Sequence, residues 1–473
     1  MDQRLDPLAS GRLEEPDGLA TPRRYFAILT IWLAIGMSVL DGAIANVALP
    51  TIARDLNASP GMSIWIVNAY QLAITMALLP MASLGDKLGY HRVYLVGLGV
   101  FTAGSLGCAL SHTLTELTVA RVFQGLGAAC LMSINTALVR LTYPQRLLGQ
   151  GIGLNAVVVA VAAVVGPTLA SAILAMAAWP WLFAVNVPLG LIAIVVAAWA
   201  LPRSTGTHAP LDFISAGLNA VMFGGVILGV ESMAREGLGA GLRKLAIGLA
   251  AGVFLVRRQL PLKAPLLPLD LLRIPIFRLS AMTSVVSFAA QMLAFVALPF
   301  FFQGPLGRSA VETGLLMTPW PLAVGVAAPL AGRLADRYPA GLLGGVGLAI
   351  FAVGLALLAL LSPGASSADI TWRMVVCGLG FGFFQSPNNR AMVAAAPRNR
   401  SGAAGGMLAT ARLLGQTAGT VVMAVLFHLG AVRPTTLALG AAAGLAAAAA
   451  VVSLLRLRLN RDPSPPAPET PTP

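Results

Sequence analysis

The sequence predicts an all-α integral membrane protein with about 14 spans, and three observations predict it. The first is composition: 57% of the 473 residues are hydrophobic, only 10% are charged, and the mean hydropathy is +0.81. A soluble chain of this length could not cover its surface with so few charges. The second is that apolar runs of about 20 residues recur along the whole chain, each long enough to cross a hydrocarbon core of ~30 Å. The third is that lysine and arginine alternate by side between those runs, as the positive-inside rule requires.

The runs begin near Tyr25, Ser63, Val93, Leu117, Gln150, Pro180, Phe213, Lys244, Leu279, Thr313, Gly341, Thr371, Gly402 and Thr435. The eighth, Lys244 to Val256, is the shortest. An even number of spans puts both termini on one side. Of the 31 Lys and Arg residues, 21 fall in one set of loops and tails, including Arg456, and 7 in the opposite set, including Arg243 and Lys244. Three more, Arg121, Arg390 and Arg412, lie inside spans. The richer side is expected to be cytoplasmic, which places both termini there and the chain in the cell inner (plasma) membrane. The first apolar run is too long for the h-region of a cleavable signal. The tail after Arg461 is rich in proline and reads as disordered.

Several function classes are excluded. The net charge of +13 is spread between apolar runs rather than gathered in a stripe, so no nucleic-acid partner is expected. Cys108, Cys130 and Cys377 stand singly inside apolar runs, and the four histidines are scattered at span ends. Neither set has the spacing of a metal site or a disulfide framework. The chain contains no phosphate-binding Gly-Lys-Ser/Thr loop, no G-x-G-x-x-G, no H-E-x-x-H and no G-x-S-x-G. It therefore reads as a non-enzyme without cofactor, and by elimination an ion gradient is its energy source. The residues alone leave H⁺ and Na⁺ open.

An internal repeat divides the chain. Val47-Ala48-Leu49-Pro50 ends the first span, and Val296-Ala297-Leu298-Pro299 ends the ninth. Asp86-Lys87 follows the first proline by 36 residues, and Asp336-Arg337 follows the second by 37. An even number of spans separates the copies, so both have the same orientation. This is the parallel repeat of transporters whose two bundles move around a midplane site. The expected layout is a cytoplasmic tail (1–23), a six-helix bundle (24–201), two linker spans with a basic cytoplasmic linker (202–278), a second six-helix bundle (279–457) and a cytoplasmic tail (458–473).

Five further stretches carry a resemblance. They are Leu40-Asp41-Gly42-Ala43-Ile44-Ala45-Asn46 leading into the first Val-Ala-Leu-Pro, the loop Leu84-Gly85-Asp86-Lys87-Leu88-Gly89-Tyr90-His91-Arg92, Arg121-Val122-Phe123-Gln124-Gly125-Leu126-Gly127, Gly166-Pro167, and Trp181-Leu182-Phe183-Ala184-Val185-Asn186-Val187-Pro188. Together the chain resembles the fourteen-span drug:proton antiporter family of the major facilitator superfamily. It departs from the family pattern at Ala82 and Tyr90 in the loop, at Ala170-Ser171 after Gly166-Pro167, and at Pro180 between two tryptophans. The resemblance implies the major facilitator fold and multidrug efflux by alternating access. It implies that Gly85, Asp86, Gly89 and Arg92 latch the two bundles, and that Gly166 and Pro167 form the antiporter signature. A proton-coupled transporter of one metabolite, importing or exporting, stands as an alternative, and a non-transporting membrane sensor or enzyme as a remoter one.

The charges inside spans give a physical reading beside the resemblance. Charged groups in a bilayer are expensive and are usually paired or functional. Asp41 is the only acidic residue deep within a span; it lies ~13 Å from the outer end, and Arg121 lies ~9 Å from it, at a rise of 1.5 Å per residue. The two are at similar depth and within reach of one another. We read Asp41 as the proton carrier and Arg121 as the partner that controls it; the plainer reading is a static ion pair or a cap at Gly42. Asp86 sits in what reads as a tight loop between Gly85 and Gly89. Asn46, Asn68, Gln71, Gln124, Asn155, Gln291, Trp320, Asn388 and Arg412 are the candidates for a cavity lining, with Gln416 beside them, although polar residues in spans also bridge helices. An apolar cavity with Asp41 as its one counter-charge suits a lipophilic or cationic small molecule. Glu231 and Glu312 fall near outer span ends and read as interface residues. The partners expected are a small-molecule substrate and the lipid bilayer. A monomer is expected, although the Gly225–Gly229 and Gly248–Gly252 spacings point toward self-association.

Overall fold

A computed structural model of the protein describes residues 18–204, 212–260, 269–396 and 401–459. The described residues are helical throughout, with no strand among them. The first bundle comprises α1 (Arg23–Asp55), α2 (Pro60–Ser63), α3 (Trp65–Leu88), α4 (Tyr90–Ala109), α5 (Leu114–Thr142), α6 (Leu148–Met176), α7 (Trp181–Ala184) and α8 (Asn186–Ala200). Two linker helices follow, α9 (Phe213–Arg235) and α10 (Leu238–Gln259). The second bundle comprises α11 (Pro275–Gln303), α12 (Ala310–Met317), α13 (Pro319–Leu334), α14 (Ala340–Ala359), α15 (Ser367–Ala395), α16 (Ser401–His428) and α17 (Pro434–Leu459). Among the described residues, 13 helical passages are long and apolar enough to cross a membrane, with α2–α3, α7–α8 and α12–α13 each forming one. The 29-residue α15 is a fourteenth passage of sufficient length; it carries Asp369, Arg373, Asn388, Asn389 and Arg390 and falls outside the 13. The expected disordered tail after Arg461, most of the N-terminal tail and part of the basic linker lie outside the described residues.

Helix starts are set where a hydroxyl can cap them. Thr113 and Glu116 form a reciprocal capping box at α5, and Ser309 and Glu312 form a second at α12. Each pair satisfies two of the free N–H groups of a first turn. Glu312 is thus occupied with its own helix start. The prolines of the repeat do not end their helices: Pro50 lies inside α1 and Pro299 inside α11. Both Val-Ala-Leu segments are fully buried, and Gln303 Nε2 donates to the Val47 carbonyl at 3.3 Å. The C-terminal end of α11 therefore meets the first copy across the bundle interface.

Three positions differ from the sequence reading. The eighth span is not short: α10 runs for 22 residues, and Lys244 reaches from inside it to Glu236 at 2.8 Å. A lysine stem can lie along an apolar helix while its ammonium finds a partner beyond the helix end. Arg456 is not a loop residue. It is buried in α17, where it donates to Ser280 Oγ and Asn388 Oδ1, both at 2.7 Å, and to Ser453 Oγ. Finally, the glycine spacings of the linker spans are used within the chain. A Cβ on Gly225 would lie 2.6 Å from the Gly248 Cα, so α9 and α10 pack backbone to backbone and need no second copy to explain them. Asn219 Nδ2 donates to the Met76 carbonyl at 2.8 Å and ties this hairpin to α3.

Candidate functional site

A cavity of about 1030 Å³ lies between the bundles. Asn46 of α1, Gln71 of α3, Gln291 of α11, Trp320 of α13, and Arg412 and Gln416 of α16 are on its wall, as are Ser38, Tyr70, Phe288, Phe295 and Phe381. The wall continues toward the face where α1 begins and α17 ends, through Pro329, Gln385 and Asn389. The opposite half is shut. Thr168 of α6 hydrogen bonds Thr318 at 2.8 Å, Gly61 packs on His428, and a Cβ on Gly314 would meet Ser171 Oγ at 1.8 Å and the Pro167 carbonyl at 2.5 Å. Gly166 is equally tight against α1, where its Cβ would stand 2.6 Å from that of Ala43. The Gly166–Pro167 pair therefore sits where α1, α6 and α12 come together.

Four residues expected on the wall lie elsewhere. Asn155 donates to Asn135 at 2.8 Å, between α6 and α5. Asn388 donates to Ser284 Oγ at 2.8 Å and accepts from Arg456, inside the second bundle. Asn68 is 1% exposed, within the packing of the first bundle. Gln124 belongs to the ion-pair cluster described next. Periodicity gives the depth of a polar residue in a span, but the helix face it occupies is decided by neighbours far away in sequence.

Asp41 and Arg121 are in contact, at 1% and 0% exposure. Arg121 donates through Nη1 to Asp41 Oδ2 and to Gln124 Oε1 (2.6 Å), and through Nε to the Ile66 carbonyl (2.9 Å). The other carboxylate oxygen accepts from Gln124 Nε2 at 2.8 Å and from Asn186 Nδ2 at 3.0 Å. Gln124 Nε2 also donates to Ser105 Oγ at 2.8 Å. Helices α5 and α8 thus hold the α1 carboxylate directly, and α3 and α4 hold the side chains that reach it. All three side chains address it as acceptor-only, the form a deprotonated carboxylate presents. The guanidinium lies over the Tyr70 ring, 4.0 Å from its centroid, and Phe183 is at 5.5 Å. Tyr70 donates to the Ser38 carbonyl at 2.9 Å and lines the cavity. One aromatic layer therefore separates the ion pair from the cavity. Asp41 itself is not on the wall, so the counter-charge expected of it there is absent.

Tyr70, Ser105 and Asn186 are the cluster members that the sequence reading did not single out. Ile66 and Tyr70 are one turn apart, and both touch Arg121. Ile66 acts through its main-chain carbonyl, which no side-chain pattern marks. Asn186 stood within the sixth-span motif without a partner to explain it. Glu231, read as an interface residue, is 2% exposed and accepts from Trp65 Nε1.

The predicted loop around Asp86 is mostly helix. Gly85 and Asp86 form the last turn of α3, and only Gly89 makes the turn, at φ 92°. The turn at Gly89 brings the Tyr90 hydroxyl at the start of α4 back onto Asp86 Oδ1 at 2.6 Å, and the Tyr90 N–H donates to Ser204 Oγ at 2.7 Å. A Cβ on Gly89 would fall 2.5 Å from the Ser204 carbonyl, so space and backbone conformation both demand glycine. Arg92 is exposed at the start of α4. In the second copy, Asp336 pairs with Arg390 of α15.

Comparison with known proteins agrees with this architecture. Residues 31–420 and 281–473 match the Major Facilitator Superfamily. The chain is 55% identical, over 91% of its length and 95% of the relative's, to the uncharacterized transporter YebQ of Escherichia coli K12. It is 31% identical to the riboflavin transporter RibZ of Clostridioides difficile (86% and 88% covered), and 30% identical to the tetracenomycin C resistance and export protein of Streptomyces glaucescens (87% and 79% covered). Its fold matches the crystal structure of a bacterial homologue of the human lysosomal transporter Spinster in an inward-facing, unoccupied conformation. The TM-score is 0.67, with 16% identity, over 95% of this chain and 100% of that one. The chain is a multi-pass membrane transporter, not an enzyme, and belongs to the Major Facilitator Superfamily.

Proposed function

We propose that this transporter is a proton-coupled efflux antiporter of bulky lipophilic compounds, of the fourteen-span drug:proton type. It would work from the inner membrane with both termini cytoplasmic. The observation that carries the reading is the buried Asp41–Arg121 pair one aromatic layer from a cavity of about 1030 Å³. With that orientation the cavity opens to the cytoplasm and is shut toward the outside. Movement of the bundles would part Arg121 from Asp41. A bare carboxylate in a low-dielectric interior is costly, and a proton removes that cost. Tyr70 touches both the cavity and the guanidinium, so a solute pressing on its ring acts on the pair. Gly166 and Pro167 are the joint on which α6 moves against α1 and α12. Gly85, Asp86, Gly89 and Arg92 would latch the bundles in the opposite state. The resistance and export relative supports the efflux reading. A single-metabolite transporter is the second reading, supported by the riboflavin transporter relative.

The test uses purified protein in proteoliposomes and the compound that most raises its melting temperature in a ligand screen. With an imposed pH gradient, the compound is expected to accumulate against its own gradient, opposite to the proton, and nigericin should erase the accumulation. Accumulation in the same direction as the proton would favour the metabolite symporter. Transport indifferent to the gradient would remove proton coupling altogether.

A further inference from the structure

Arg412 is the only formally charged side chain among the described residues that line the cavity. It stands in the interior of α16, one turn from Gln416, which pairs with Gln71 of the other bundle at 3.5 Å. Unlike Arg121 and Arg456, it has no hydrogen bond, ion pair or ring contact with any described residue, and its Nε is buried without a partner. An arginine stays protonated in a protein. A guanidinium at this depth needs either water or an anion, because an unpaired charge is expensive wherever water is displaced. No acid on the wall meets that need. Asp41, the acidic residue of the first bundle's interior, is 1% exposed and already held by Arg121, Gln124 and Asn186.

From this we infer that the cavity is built for amphiphilic anions: a carboxylate, sulfonate or similar acidic head on Arg412, with an aromatic body against Phe295 and Phe288, which the buried Trp320 and Phe381 back. A guanidinium presents paired N–H donors that match such a head. The T-shaped Phe295–Trp320 contact, with centroids 5.1 Å apart, gives the body an aromatic wall. The cavity volume is that of a drug-sized ligand site. Lipophilic cations, which the sequence reading paired with Asp41, meet a like charge instead. The inference rests on the transporter reading of the cavity but not on proton coupling.

Three probes of one shape test it: 4-(1-pyrenyl)butanesulfonate, the neutral 4-(1-pyrenyl)butanol and 4-(1-pyrenyl)butyl-trimethylammonium. Saturable binding to the full chain in nanodiscs is read by fluorescence, after subtraction of empty nanodiscs, with no pH gradient present. Wild type is expected to bind the sulfonate at least about tenfold more tightly than the ammonium probe, the factor for ~1.4 kcal/mol. Arg412→Gln should weaken the sulfonate by about tenfold and leave the alcohol within about twofold, so that retained alcohol binding reports an intact cavity. Arg412→Lys should restore part of the sulfonate affinity. Equal binding of sulfonate and ammonium by wild type, sulfonate binding unchanged in Arg412→Gln, or an equal loss of sulfonate and alcohol in that variant would each overturn the inference. A failure of gradient-driven transport would leave this binding pattern untouched, so the two readings fail separately.

Discussion

Asp41→Asn is expected to abolish uphill transport while leaving exchange of labelled for unlabelled compound across the membrane. Asparagine keeps an acceptor oxygen toward Arg121 and the size of the side chain, but it cannot cycle between charged and protonated forms. The cluster loses its anion, so Arg121 is left with neutral partners only: Gln124 and the Ile66 carbonyl besides the new amide. Removing one partner of a buried pair costs about 3–5 kcal/mol, and the retained acceptor should hold the loss near or below ~3 kcal/mol. Purified variant should therefore run as a single species with a lowered melting temperature. Accumulation driven by a pH gradient should fall to the level of empty liposomes, with counterflow within about threefold of wild type by the same energetic reasoning. Loss of counterflow along with accumulation would make Asp41 a structural ion-pair member, the plainer reading.

Gly314→Val should act on the other half of the cycle. The shut face depends on α12 lying directly on α6, where even one Cβ meets the Pro167 carbonyl at 2.5 Å. Overpacking of this kind costs about 1–3 kcal/mol. Here the cost falls on only one of the two states, so it becomes a population shift of about 5-fold to 150-fold toward the state in which α6 and α12 are apart. The Thr168–Thr318 contact lies in the same seam. An impermeant maleimide applied to whole cells should label Thr168→Cys at least about tenfold faster in the Gly314→Val background. The native cysteines Cys108, Cys130 and Cys377 are buried and give a low background. Unchanged labelling would mean that this seam does not open in the transport cycle.

The fold was legible because its strongest signal is one of solvent. Apolar length sets the spans, and the loop charges alternate whatever the packing. Even α15, with two asparagines and three charged residues, was visible between its neighbours. The Asp41–Arg121 contact was legible for a related reason: depth follows from residue count, and charges at one depth in a bilayer seek each other. What sequence did not carry is helix rotation. Gln124 and Asn388 have the same polar character as Gln71 and Gln291, yet the first two turn into their own bundles and the second two face the cavity. Arg456 looked like a loop charge because its partners Ser280 and Asn388 lie 176 and 68 residues away. Asp86 looked like a loop residue because Gly85 and Gly89 bracket it, while only Gly89 has the backbone of a turn. The charge of the cavity was misread for the same reason. Asp41 and Arg412 both lie within spans, and only their rotations decide which one the solute meets.

Substrate-driven proton movement tests the central claim most directly. Proteoliposomes would hold a pH dye inside, with a non-titrating compound from the ligand screen added outside and no initial pH gradient. The Asp41–Arg121 account predicts that inward movement of the compound drives protons outward and raises the internal pH. It also predicts that Asp41→Asn carries out counterflow with no pH response. A pH response in Asp41→Asn equal to that of wild type, or protons moving with the compound rather than against it, would contradict it.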